Sequence, residues 1–187
     1  MRGPGGRADS AGIEQFSNVL HATFPAQPLP ERFYWKEGVH DVGDEPCSDL
    51  RRWLAQRQWT EITMIDWAMI GHIGVARQHL EPATFLYYLP SLLLGSLKEP
   101  RYLEWALEAI MPSGRDRRPK GRWWAELLET ISPDQCATLR AFLAHLRGAF
   151  LQSDEGPFWI TAAQALTSEA DAFWDQQIIS LRSRDER

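Results

Sequence analysis

Apolar residues recur along most of this chain at the three- and four-residue spacing of amphipathic helices, and nowhere do they alternate as in a half-buried strand. Ile13, Phe16, Leu20 and Phe24 form one such stripe and predict a helix ended by Pro25, Pro28 and Pro30. Between Thr60 and Leu80, Ile62, Ile65, Met69, Ile73 and Ala76 predict one core-facing helix. Gly71 and Gly74 inside it each cost about 1 kcal/mol relative to alanine, and are read as the close approach of a neighbouring helix rather than as a break. From Ala83 to Leu97 the chain is apolar on nearly every face, which predicts a central helix surrounded by others. Pro90 removes the hydrogen bond to the Leu86 carbonyl and is expected to kink or split that helix, leaving backbone groups for the Tyr87 and Tyr88 hydroxyls.

Proline also marks where helices begin, because the first turn does not use the missing N–H. Pro46, Pro82, Pro100 and Pro133 fit this role. The Pro46 helix runs through Trp53 and Leu54, and Ser132-Pro133-Asp134-Gln135 reads as a capping box. Further helices are predicted over Tyr102 to Met111, Trp123 to Ile131, Pro133 to Leu151 and Phe158 to Leu181, the last interrupted near Thr167-Ser168. The expectation is an all-α, single-domain bundle of about seven or eight helices around a central Pro-kinked apolar helix, spanning residues 13–182. Residues 1–12, rich in Gly and Arg without an apolar stretch, read as a disordered tail, and residues 183–187 as a charged one. The longest apolar run, Phe85 to Leu97, is shorter than the roughly 18 to 20 residues that span a bilayer, so no membrane partner is expected.

Composition narrows the function classes. A chain of 187 residues suits one core, and 44% hydrophobic residues argue against global disorder. A net charge of −5 gives no general attraction for nucleic acid. Nine tryptophans are many for this length, and several are expected to be partly exposed. Cys47 and Cys136 lack metal-ligand spacing and read as reduced thiols of a cytoplasmic protein.

Candidate chemistry is sparse. His40-Asp41, with His21 before and Asp66 after, is similar to the His-Asp pairs of metal-dependent phosphohydrolases, but Gly38 and Gly43 place it in a loop, and a solvated acidic loop is the favoured reading. His72 and His79 lie seven residues apart on one predicted helix without a third ligand. Cys47 and Cys136 each lie at a predicted helix start, where a thiol can be activated; with no histidine near either in sequence, inert buried thiols are favoured. No GxSxG, P-loop, GxGxxG or HExxH motif occurs. No cofactor, metal or catalytic residue is assigned. The segment 31–49 combines Phe33-Tyr34-Trp35 with Glu31, Glu37, Asp41, Asp44, Glu45 and Asp49, whereas Arg115, Arg117, Arg118, Lys120 and Arg122 run into Trp123-Trp124. This polarity suits electrostatic steering towards a protein partner.

The segment Pro82-Ala83-Thr84-Phe85-Leu86-Tyr87-Tyr88-Leu89-Pro90-Ser91-Leu92-Leu93-Leu94, with Trp59 upstream and Ser132-Pro133-Asp134-Gln135 downstream, resembles a bacterial family of small helical proteins of unknown function marked by Phe-x-Tyr-Tyr-Leu-Pro. The resemblance covers residues 45 to 145 and implies a fold, not an activity. The functional expectation is a non-catalytic protein-binding protein, in concrete form an immunity protein that neutralises a co-encoded bacterial toxin. Its candidate partner-binding residues are Trp35, Glu37, Asp41, Asp44, Glu45, Trp53, Arg117, Arg118, Trp123 and Trp124. The alternatives are an enzyme built on His40, Asp41 and Cys47 or on His72 and His79, and a homodimeric regulatory or scaffold protein.

Overall fold

A computed structural model of the chain describes residues 8–35, 45–112, 118–151 and 157–185. Among the described residues there are nine α-helices, two 3-10 turns and no strand, so the chain is all-α. The helices are α1 (Ala8–Thr23), α2 (Glu45–Leu54), α3 (Met64–Ile70), α4 (Ile73–His79), α5 (Pro82–Lys98), α6 (Leu103–Ile110), α7 (Arg122–Thr130), α8 (Pro133–Leu151) and α9 (Pro157–Asp185). The 3-10 turns are Trp59–Glu61 and Pro100–Tyr102. None of the described helices is long and apolar enough to cross a membrane.

The chain groups into two compact units, residues 25–132 and residues 1–24 with 133–187. In the second of these, α9 packs along α8 and α1 packs on α8. Arg140 binds Asp171 and Asp175, at 2.7 and 2.6 Å, while Arg147 further along α8 meets Asp171 and the Thr167 carbonyl. That order makes α8 and α9 antiparallel. Phe16, Leu20, Phe142, Leu146, Ala170 and Trp174 are buried in this unit, with the Phe16 and Phe142 rings 6.0 Å apart. The expected interruption at Thr167-Ser168 does not occur: both hydroxyls donate to the Gln164 carbonyl within the running helix. Helix α1 also begins five residues ahead of the expected Ile13.

In the unit of residues 25–132, α5 packs against α3, α4, α6, α7 and both 3-10 turns, and most of its residues are buried. It begins at Pro82 as expected and runs unbroken through Pro90. The tyrosine hydroxyls bind other segments instead of α5's own freed groups. Tyr87 donates to the Ala26 carbonyl, and Tyr88 donates to the Leu54 carbonyl at the end of α2.

The single helix expected over Thr60 to Leu80 is two, and the reason is local. Thr63 and Asp66 cap each other's backbone at the start of α3. Gly71 ends α3 at φ 92°, where a Cβ is disfavoured. His72 caps α4, its Nδ1 accepting from the Gly74 amide at 3.0 Å. A Cβ on Gly74 would lie 2.9 Å from that nitrogen, so both glycines serve the break and not a neighbouring helix. The close approach occurs at Gly95, where a Cβ would sit 3.3 Å from Met64. Breaking the helix also breaks the expected stripe. Met64 and Trp67 are buried, the indole donating to Ser91 at 2.8 Å, whereas Ile65 is 66% and Met69 52% exposed.

Asp66 also accepts from the Arg57 guanidinium at 2.8 Å. Burial pushes its carboxyl upward, but the hydrogen bonds from Arg57 and Thr63 outweigh this and hold it below the ordinary value of 3.8. A depressed folded-state value means that the stability Asp66 contributes is complete above about pH 5 and is lost as pH falls through the folded value. Asp66→Ala is expected to lower unfolding free energy by about 2 kcal/mol at pH 7. Urea titrations of both proteins should show that cost shrinking as pH is taken from 5 towards 2.

Candidate functional site around Cys47 and His79

The site begins with Pro82. Proline disfavours the helical region for the residue before it, and Glu81, just ahead of Pro82, is extended with ψ of 137°, as is Leu80 before it with ψ of 143°. The Leu80 amide still donates to the Ala76 carbonyl and the Glu81 carbonyl still accepts from the Phe85 amide, but the His79 and Leu80 carbonyls and the Glu81 amide need partners from outside these helices. The segment Phe33–Trp35 supplies two of them. The Trp35 amide donates to the His79 carbonyl at 2.9 Å, and the Glu81 amide donates to the Phe33 carbonyl at 3.1 Å, framing an isolated antiparallel bridge between Tyr34 and Leu80. The third partner is the Trp123 indole, which donates to the Leu80 carbonyl at 2.9 Å.

This pairing gathers side chains that are far apart in sequence. The Trp35 indole donates to Glu126 Oε2 at 3.2 Å, and Arg122 Nε binds Glu126 Oε1 at 2.8 Å. The Tyr34 hydroxyl donates to the Cys47 carbonyl, and the Arg51 guanidinium lies 5.1 Å from the centre of the Tyr34 ring. Burial raises the Tyr34 phenol above its ordinary value, against an opposing pull from Arg51, so it stays protonated and donates at neutral pH. Cys47 Sγ lies 3.3 Å from His79 Nδ1. Cys47 is in the first turn of α2 and is 5% exposed.

A thiol in hydrogen-bond contact with an imidazole can hand over its proton and become a nucleophile, or it can remain a packed donor. Cys136 differs: it is fully buried in α8, and burial pushes its thiol up to about 12. Among the described residues no group of three or more His, Cys, Asp or Glu is placed to hold a metal ion. A groove of about 440 Å³ is lined in part by Glu31, Phe33, Arg51, Gln56 and Tyr88.

The residues singled out in sequence fall into three groups. Trp35 and Trp123 belong to this cluster, but Trp123 and Trp124 are each only 7% exposed, so both indoles serve the core. Trp53 is half-buried with Arg52 against its ring, Arg118 is exposed, and Glu45 opens α2. Glu37, His40, Asp41, Asp44 and Arg117 lie outside the described residues. His72 and His79 do not act together: His72 caps α4 and approaches Glu108 at 3.5 Å, while His79 at the other end of that helix meets Cys47. Cys47 and His79 are 32 positions apart, and neither motif nor period links them in the sequence.

Because the Trp123 indole satisfies a buried carbonyl, Trp123→Phe is expected to cost roughly 1 to 3 kcal/mol in unfolding free energy. Guanidinium denaturation checks this, and an unchanged midpoint would instead suit an indole that served only a surface. No curated protein and no solved structure matches this chain. A family model does match, over residues 39–177 and thus well over half of the sequence, and the chain belongs to that family of unknown function, DUF6714.

Proposed function

We propose that this chain is a non-catalytic protein-binding protein, and that in concrete form it is an immunity protein of bacterial origin that neutralises a co-encoded toxin by direct contact. The observation that supports this reading is the pair Ile65 and Met69. They lie four residues apart and therefore on one face of α3, at 66% and 52% exposure. The helix that carries them is rigidly held: a reciprocal cap fixes its start, the Trp67 indole ties its other face to Ser91, and Gly71 ends it. Apolar side chains carried on a backbone that is already ordered suit a binding face, because the helix itself need not be ordered on association. The net charge of −5 favours a basic partner, which it would attract over a Debye length before the apolar contact forms.

The contact between Cys47 and His79 favours a second reading, an enzyme with an unfamiliar thiol site. The two separate cleanly, because the α3 face and the thiol are altered by different substitutions.

The double variant Ile65→Ser with Met69→Ser is expected to weaken binding to the co-encoded partner by at least about tenfold while leaving stability within about 0.5 kcal/mol, as is usual at exposed positions. Calorimetric titration with the purified partner measures the first and urea denaturation the second. Unchanged affinity would remove α3 as the binding face. A wild-type mass that doubles with concentration, and reverts in the double variant, would give this face to a second copy of the chain instead.

A further inference from the structure

We propose that Cys47 is a site of covalent modification, a nucleophilic thiol that takes small uncharged soft electrophiles, with His79 Nδ1 as its proton acceptor. This is independent of the partner-binding reading, since neither residue lies on α3.

The proposal rests first on position. Sγ and Nδ1 are 3.3 Å apart, and both residues are fixed by backbone contacts that have nothing to do with the thiol. His79 ends α4 and its carbonyl accepts from the Trp35 amide; Cys47 holds its carbonyl against the Tyr34 hydroxyl. An imidazole held against a thiol from a separate helix is the arrangement by which a weak nucleophile is activated. The first turn of α2, a helix of ten residues, adds partial positive charge that favours a thiolate. Cys136 provides the internal contrast, being fully buried with its thiol pushed up to about 12. The 5% exposure of Cys47 limits the reagent's size.

The step balances without any further reactant. With an alkylating carbon electrophile, the thiol proton passes to Nδ1, a sulfur–carbon bond forms, and the leaving group departs with its bonding pair. With a small disulfide, Cys47 sulfur attacks one sulfur, the old sulfur–sulfur bond breaks, and the departing thiolate takes the proton from the imidazolium. Cys47 is then oxidised to the mixed disulfide and half of the reagent is reduced to a thiol.

The test is iodoacetamide labelling of the full chain at pH 7, read by mass spectrometry of the peptides carrying Cys47 and Cys136. Cys47 is expected to be alkylated at least about tenfold faster than Cys136, and His79→Gln to lower the Cys47 rate by about tenfold or more with helical content intact and the Cys136 rate unchanged. Equal rates at the two cysteines, or a Cys47 rate unaffected by His79→Gln, would overturn the proposal. Should the variant unfold, ¹⁵N resonances of the His79 ring in the wild-type protein decide: Nδ1 is expected to shift when Cys47 is alkylated, and an unmoved resonance would show that the ring does not share the thiol proton.

Discussion

The unit of residues 25–132 depends on how the chain passes from α4 to α5. Pro82 starts α5 and disfavours helical geometry at Glu81, and in the extended link that follows α4 the His79 and Leu80 carbonyls and the Glu81 amide need partners from outside α4 and α5. The leading segment Phe33–Trp35 and the indole of Trp123 supply those partners. This one junction thereby ties three stretches of chain, at about residues 34, 80 and 123, into a single arrangement. Burying Leu80 completely, as the structure does, is affordable only because its carbonyl is met.

The same logic explains the use of so many aromatic residues with polar tips. A helix end leaves carbonyls without partners, and here long side chains from elsewhere provide them. Tyr88 reaches the Leu54 carbonyl, and Arg57 reaches that of Trp53. Arg77 donates to the carbonyls of Glu108 and Met111 at the end of α6. Short helices such as α3 and α4, seven residues each, would be marginal alone; these contacts and the central α5 hold them. The meeting of Cys47 and His79 is a product of that framework, which brings the end of α4 to the start of α2.

Much of the fold was legible because its signals are local. Pro82 and Pro133 opened α5 and α8 at the expected residues, and the all-round apolar character of Ala83 to Leu97 identified the central helix. The break between α3 and α4 was also encoded locally, but in capping side chains and a left-handed glycine that a periodic stripe obscures. The period of 3.6 fitted Ile65 and Met69, whereas burial followed Met64 and Trp67. The tryptophans were legible as a feature but not as a location: Trp123 and Trp124 looked like surface anchors beside basic residues, yet their rings pack inside. The candidate site was least legible. Its two central residues meet through a bridge between residues 34 and 80, and such non-local pairing leaves no mark on spacing.

Native-state hydrogen exchange at the junction tests the central claim most directly. The backbone amides of Trp35 and Glu81 and the indole N–H of Trp123 are expected to exchange only through the opening that also releases the amides of α5, with the same dependence on denaturant. Exchange of these three groups at rates typical of exposed loops, while α5 remains protected, would contradict the account and leave the Cys47–His79 contact without its framework.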